Sequence, residues 1–226
     1  MTRPRTAKAK RRTPGTGRTD MAEKEPLFPL LAIDRLRMES DGEGVTTLVA
    51  GAGCPLCCRW CVNADILKKK PEPVTPQTLF ERTNIDNLYF QATGGGLCFG
   101  GGESLLHADF IAAFRALIGG AWKLTAETSL HVSPAALETA IGAVDAFIVD
   151  VKTADPQIYK NYTGGDNRLV FQNLQTLLRA VPPERVKVRV PLIPEYNDAA
   201  DQKKTAALLR EMGAKNIELF AYKKTE

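Results

Sequence analysis

From Val45 onward the apolar positions fall into two alternating patterns. Short β-branched or apolar runs of strand length occupy residues 45–50, 97–99, 124–128, 146–151, 186–193 and 217–222. Between them lie longer segments whose apolar residues recur three and four apart, the spacing of one helix face: 75–82, 107–118, a segment opening at Pro134, 156–162, 169–180 and 199–212. The punctuation agrees. Thr75 precedes Pro76 and Ser133 precedes Pro134, a cap followed by proline at the first helical position. Gly119–Gly120 and Gly213 follow helical segments, as glycines that stop helices do.

Regular strand–helix alternation predicts an α/β fold with a parallel sheet and right-handed crossovers. Six units suit an open, partial (β/α)6 TIM-like barrel better than a closed eight-unit one, and such folds carry their chemistry at the C-terminal ends of the strands. That rule collects the unusual residues on one face. A cysteine loop follows the first strand, Gly100–Glu103 the second, and Glu127–Ser129 end the third. Asp150 and Lys152 end the fourth, and Arg189 and Asn197 belong to the fifth and its loop.

Composition changes the picture at the N-terminus. Hydrophobic content of 44% and charged content of 25% are those of an ordinary soluble domain. The net charge of +4 is local: seven of the first twenty residues are basic and one is acidic. Taking these from the 30 basic and 26 acidic residues leaves 23 against 25, a net charge of −2. Residues 1–25 lack apolar periodicity and are expected to be a disordered basic tail ahead of one domain at 26–226. The tail is open to three readings: a nucleic-acid arm, a solvated tail, or the product of an upstream start codon with Met21 as the natural beginning. Without a binding fold, nucleic acid is not an expected partner. No apolar run approaches the roughly 20 residues of a membrane span, and no signal-peptide core is visible, so a cytoplasmic location is expected.

Five cysteines are present, and Cys54, Cys57, Cys58 and Cys61 fall within eight residues. A secreted disulfide framework spreads its cysteines to staple distant segments, so this cluster points to a metal site in a reducing compartment. Two ligand sets compete. Cys54, Cys58 and Cys61 form a C-x3-C-x2-C spacing, and thiolates are the standard ligands of iron–sulfur clusters. Alternatively, Cys54/Cys57 and Cys58/Cys61 are two C-x2-C pairs of a zinc knot. With no residue between the pairs that knot is strained, since zinc-ribbon pairs come from separate turns. Cys98, inside a strand, reads as a small buried hydrophobe. His107 and His131 form no metal pair and are expected to be structural or exposed.

The C-x3-C-x2-C loop resembles that of the radical SAM superfamily, with Trp60 at the aromatic position before the last cysteine and Asn63 in a Cys-x-Asn ending. Gly100-Gly101-Gly102-Glu103-Ser104-Leu105-Leu106 resembles that family's Gly-Gly-Glu-Pro-Leu-Leu, with Ser104 in place of proline. Asp41-Gly42-Glu43-Gly44, Glu127-Thr128-Ser129, Asp150-Val151-Lys152 and the stretch 188–198 resemble, in the same order, segments of pyruvate formate-lyase activating enzyme and related glycyl-radical-enzyme activating enzymes. The resemblance runs from about Leu36 to Tyr222. Asn87–Gln91 stands where the family has its own aromatic segment.

The resemblance implies a [4Fe-4S] cluster held by Cys54, Cys58 and Cys61, its fourth iron chelated by S-adenosylmethionine (SAM). One electron would cleave SAM to a 5′-deoxyadenosyl radical. Cys57 would be a bystander. It further implies SAM contacts from Trp60, Asn63, Gly101, Gly102, Glu103, Asp150, Lys152 and Arg189, and a monovalent cation held by Glu127, Thr128 and Asp150 beside the SAM carboxylate. The implied activity is hydrogen abstraction from a glycine of a partner glycyl radical enzyme, with flavodoxin or ferredoxin as electron donor and a monomeric chain. No further cysteine cluster follows the first motif, so one cluster is expected. Relatives carry a histidine after the sixth strand that reaches the adenosyl part of SAM; here Lys223 follows Tyr222, so that contact is absent or replaced. A radical SAM enzyme acting on a small molecule or peptide uses the same site. A non-catalytic iron–sulfur or zinc protein would need the cysteines but not Gly102–Glu103 or Asp150–Lys152.

Overall fold

The computed structural model describes residues 25–38 and 41–222 and places their strands in one eight-stranded sheet. Six are the expected ones. Here β1 is Phe28–Arg37, β2 Thr46–Gly51, β3 Glu72–Val74, β4 Gly96–Gly101, β5 Lys123–Thr128, β6 Ala146–Asp150, β7 Val186–Leu192 and β8 Asn216–Ala221. The order is β3-β1-β2-β4-β5-β6-β7-β8, with every pair from β2 to β8 parallel. The two ends of the order, β3 and β8, leave the sheet open among the described residues, as expected. The proposed tail at 1–25 lies outside the described residues except for Glu25.

β1 and β3 depart from the expectation of six strands. Both are antiparallel additions at one edge. β1 is buried only in its first half, where Phe28 and Leu30 are covered, and its second half is exposed or half-buried. A strand so divided shows no sustained alternation, which is why periodicity misses it. Phe28 is nonetheless a core residue. Its ring meets those of Phe99, His107 and Phe110 at 5.8, 5.1 and 5.1 Å. It lies so close over Gly51 that a Cβ there would come within 2.5 Å of its ring.

The helices follow their caps. They are α1 Ala64–Leu67, α2 Pro76–Thr83, α3 Asn87–Thr93, α4 Ala108–Ile118, α5 Pro134–Ala143, α6 Pro156–Thr163, α7 Arg168–Ala180 and α8 Ala199–Glu211. Thr75 and Ser133 accept the N–H groups of Thr78 and Ala136, as their sequence signatures predict. α3 takes up the Asn87–Gln91 segment, burying Phe90 against Trp122, whose indole N–H donates to Asn87 Oδ1 at 2.8 Å.

Strand alternation sorts the sheet into two faces. One carries Leu97, Phe99, Leu124, Ala126, Phe147, Val149, Val188 and Val190, all fully buried in the main core. The register puts the intervening residues together on the other face: Cys98 beside Thr125, Glu127 beside Ile148, and Asp150 beside Arg189 beside Glu218. The apolar face drives folding, and the opposite face is left free to carry charge. Cys98 is fully buried there, as expected of it.

Candidate active site

The chain leaves β2 through Gly51–Gly53 into the cysteine loop, and main-chain hydrogen bonds fix that loop on two sides. On one, the N–H of Gly102 donates to Gly51 O (2.9 Å) and that of Glu103 to Gly53 O (2.8 Å). This contact needs glycine: a Cβ on Gly102 would sit 2.0 Å from Gly53 O, and Gly101 adopts φ +91°. Asn63 completes the clasp by donating from Nδ2 to Gly101 O at 2.7 Å. On the other side, the N–H of Cys57 donates to Thr163 O (2.8 Å) and that of Arg59 to Tyr162 O (3.0 Å), both at the end of α6. His107 bonds Ala52 O at 2.8 Å through Nε2, which makes it the structural histidine expected.

All five cysteines are free thiols. Burial pushes the Cys58 thiol up to about 11, opposed by Lys152 and reinforced by Cys54, Cys61 and Asp150. Cys54 is exposed to solvent, as Cys57 is, yet the protein packed around it also raises its thiol, which senses Glu103, Cys61 and Lys152. Cys54, Cys58 and Cys61 therefore share one electrostatic neighbourhood with Lys152, Asp150 and Glu103. Cys57 is exposed and lies against Gly164 at the end of α6. Among the described residues, no three His, Cys, Asp or Glu side chains converge on one ion-sized point. A zinc knot would need all four thiols on one ion. A four-iron cluster spreads its thiolates over separate irons, and the donor set suits it: three soft sulfur ligands in a loop edged by glycine backbone.

Glu103 behaves differently from the sequence expectation. It is 2% exposed, and both carboxylate oxygens are filled by the protein. Oε1 accepts from Thr128 Oγ1 (2.6 Å) and Leu105 N (3.2 Å), and Oε2 from Ser129 N (2.8 Å) and Ser129 Oγ (2.6 Å). Four donors match the four lone-pair positions of a carboxylate. Glu103 thus clamps the glycine turn to the end of β5.

The charged residues form two linked pairs. Lys152 is buried, and its Nζ donates to Asp150 Oδ2 at 2.9 Å and to the Tyr222 hydroxyl at 3.0 Å, 5.7 Å from the Tyr222 ring centre. Burial disfavours its charge, but Asp150 and Tyr222 together hold the ammonium well above the ordinary lysine range. Arg189 Nη1 pairs with Glu127 Oε1 at 2.9 Å, and its Nε lies 3.7 Å from Glu218 Oε2. Burial raises the Glu127 carboxyl, and Arg189 pulls it back.

The residues expected to hold a monovalent cation are not gathered by their side chains. Thr128 Oγ1 is committed to Glu103 and to the N–H of Leu130 (2.8 Å), and Glu127 and Asp150 each pair with a cation of the chain. Asp150 Oδ1 is buried with no hydrogen-bond partner. An unpaired buried carboxylate oxygen is costly, and it suits a site completed by a donor or cation from outside the chain.

Tyr159, Glu218 and the role of Tyr222 carry no motif. The signal for Tyr222 is positional: it follows the last strand at its C-terminal end, where such folds keep their site residues. Asp41, by contrast, is buried beside Arg37 before β2 begins, at the strand end opposite the cysteine loop.

The radical SAM superfamily model matches residues 48–209. The (2S)-3-sulfopropanediol sulfolyase activating enzyme of Bilophila wadsworthia is 27% identical, with 71% of this chain and 74% of that protein covered. The pyruvate formate-lyase-activating enzyme of Clostridium pasteurianum is 28% identical, covering 80% and 77%. Among solved structures, SuiB of Streptococcus suis bound to SAM superposes with a TM-score of 0.59 at 13% identity, a likeness of fold. The match covers 76% of this chain and 39% of SuiB, so the chain spans about two fifths of that protein. The family match extends over the cysteine loop, the glycine turn, and the ends of β5, β6 and β7: this chain belongs to the radical SAM superfamily, whose members use a [4Fe-4S] cluster and SAM.

Proposed function

We propose that this chain is a glycyl-radical-enzyme activating enzyme, acting on a glycine of a partner protein. The carrying observation is the shared neighbourhood of Cys54, Cys58 and Cys61 with Lys152 and Asp150 at the strand C-termini. Similarity to activating enzymes along most of the chain supports the partner class.

In this reading Cys54, Cys58 and Cys61 hold the cluster, and the backbone of Gly101 and Gly102 lines the SAM amino end. With both groups bound, the cofactors supply reductive cleavage of SAM and a hydrogen-abstracting radical. The chain's own residues orient and shield. Asn63 locks the cysteine loop to the glycine turn, so that cluster and SAM share one frame. SAM carries a sulfonium and a zwitterionic tail, and its pocket must present both signs of charge. Arg189 and Lys152 meet the carboxylate. Glu127 and the unpartnered Asp150 Oδ1 meet the amine. Trp60, half-buried in the loop and next to Cys61 in the chain, would shield the cluster. Each acid already paired with a base keeps the pocket near neutral before SAM arrives, which limits the cost of desolvation.

Residues 26–226 act as one domain in this reading, as a monomer, with flavodoxin or ferredoxin as electron donor. The cytoplasm, which keeps thiols reduced, is the place of action. No helix among the described residues is long and apolar enough to cross a membrane.

The test is anaerobic reconstitution with iron and sulfide, then addition of reductant and SAM. 5′-Deoxyadenosine is expected, and its absence with a full cluster present would sink the enzymatic reading. Mixing with a glycyl radical protein encoded nearby should yield a glycyl radical by electron paramagnetic resonance. Deoxyadenosine without that radical in any such mixture would move the substrate to a small molecule or peptide.

A further inference from the structure

Lys152 has a long, flexible side chain, yet it is 7% exposed, and an ammonium buried without acceptors is costly. Among the described residues it has two acceptors. Asp150 Oδ2, two residues away in the chain, lies at 2.9 Å, and the Tyr222 hydroxyl, 70 residues away, at 3.0 Å. An ammonium carries three donors and no lone pair, so the second bond runs from Lys152 to Tyr222, and one N–H is unspent.

Tyr222 is held firmly enough to direct that bond. Its own N–H donates to Leu192 O at 3.0 Å, which carries the pairing of β7 and β8 one residue past Ala221. Its ring stands edge-on to that of Phe220, 5.5 Å away at 89°. Without the hydroxyl, the acceptor left to Lys152 is the Asp150 carboxylate, whose Oδ1 is buried and unpartnered. The ammonium would settle over both carboxylate oxygens, because two charge-assisted bonds there replace one. It would then cover Asp150 Oδ1 and spend its free N–H on the same acid.

We propose that Tyr222 is a positioning residue for SAM. Its hydroxyl draws the Lys152 ammonium off Asp150, so that one N–H and Asp150 Oδ1 both stay available to the methionyl end of SAM. The inference rests on Lys152 meeting the SAM carboxylate, as the proposed function has it.

The experiment is a double-mutant cycle read as SAM affinity. The full chain is reconstituted anaerobically, left oxidised so that SAM is not cleaved, and titrated with SAM by calorimetry. The wild type, Tyr222→Phe, Lys152→Met and the double variant are compared, with iron content measured for each. Tyr222→Phe keeps the ring and should load the same iron, but bind SAM about tenfold more weakly, the scale of one charge-assisted hydrogen bond. Lys152→Met should also bind weakly, and adding Tyr222→Phe to it should cost nothing further, since the hydroxyl acts only through the ammonium. A Tyr222 that touches SAM itself, or only supports the fold, would weaken binding equally in both backgrounds, and that result overturns the proposal. So does wild-type affinity in Tyr222→Phe, or a Tyr222→Phe that cannot be loaded. Failure of the Lys152 assignment is distinguishable: Lys152→Met would then bind SAM as the wild type does. Should Lys152→Met not load, Lys152→Gln takes its place; if neither loads, Lys152 holds the site together and the proposal falls with its premise.

Discussion

Replacing Glu103 with glutamine separates the two roles a carboxylate in this motif can have. The change keeps shape and removes one acceptor oxygen. On the Oε2 side the new amide would face the Ser129 N–H, a donor against a donor, and the Ser129 hydroxyl, which can turn to accept. One main-chain N–H is left orphaned, and the bonds to Thr128 and Leu105 lose their charge assistance. Hydrogen bonds to a charged group contribute about 1.5–3 kcal/mol, and a buried orphan costs about 1–3 kcal/mol. The expected loss is about 2–4 kcal/mol, or a fall in Tm of about 4–16 °C for a chain of this size. Urea unfolding of the reduced apo protein is the assay, with the midpoint falling at unchanged slope. SAM affinity of the reconstituted variant is the second readout, and it should fall only as far as the weakened clamp loosens the glycine turn. A variant as stable as the wild type that has lost SAM binding would refute the clamp and return Glu103 to direct ligand contact.

Gly102→Ala should abolish cluster loading, because its Cβ would sit 2.0 Å from Gly53 O; wild-type iron content would show that the loop can move aside. Asn63→Ala should cost about 1 kcal/mol of stability and lower cluster retention during gel filtration, through loss of the bond to Gly101 O. Cys57→Ala should keep the cluster spectrum while Cys58→Ala loses it, and the reverse pattern would exchange their roles. Lys152 has a folded pKa above its unfolded one, so its stabilisation is complete below the ordinary lysine value of about 10.4 and is lost as pH rises beyond it. Wild-type apo protein should therefore destabilise above about pH 10 more steeply than Lys152→Met; parallel curves would show that the raised pKa does not exist.

Where residue order carries local physics, the sequence by itself was enough. Strand and helix periods, the Thr75 and Ser133 caps, and the cysteine spacing all act over a few residues, and the six parallel strands and their C-terminal loops follow from them. The family could be read for the same reason, since its motifs are short and each stands at a strand end. Only the tertiary structure could decide the rest, because it depends on which distant groups meet. β1 is a strand because β2 and Phe99 offer it an edge and a partner, not because its own pattern demands it. Glu103 looks like a ligand contact by position, yet its oxygens are claimed by Thr128 and Ser129, about 25 residues away in the chain. Tyr222 and Tyr159 carry no signature, and the folding of β8 and α6 around Lys152 and Cys58 gives them their surroundings. The spacing of the cysteine loop marked four cysteines alike. The docking of that loop between the glycine turn and α6 distinguishes them, because only distant main-chain partners fix Cys57 N–H on Thr163 O and place the other three thiols among Glu103, Asp150 and Lys152.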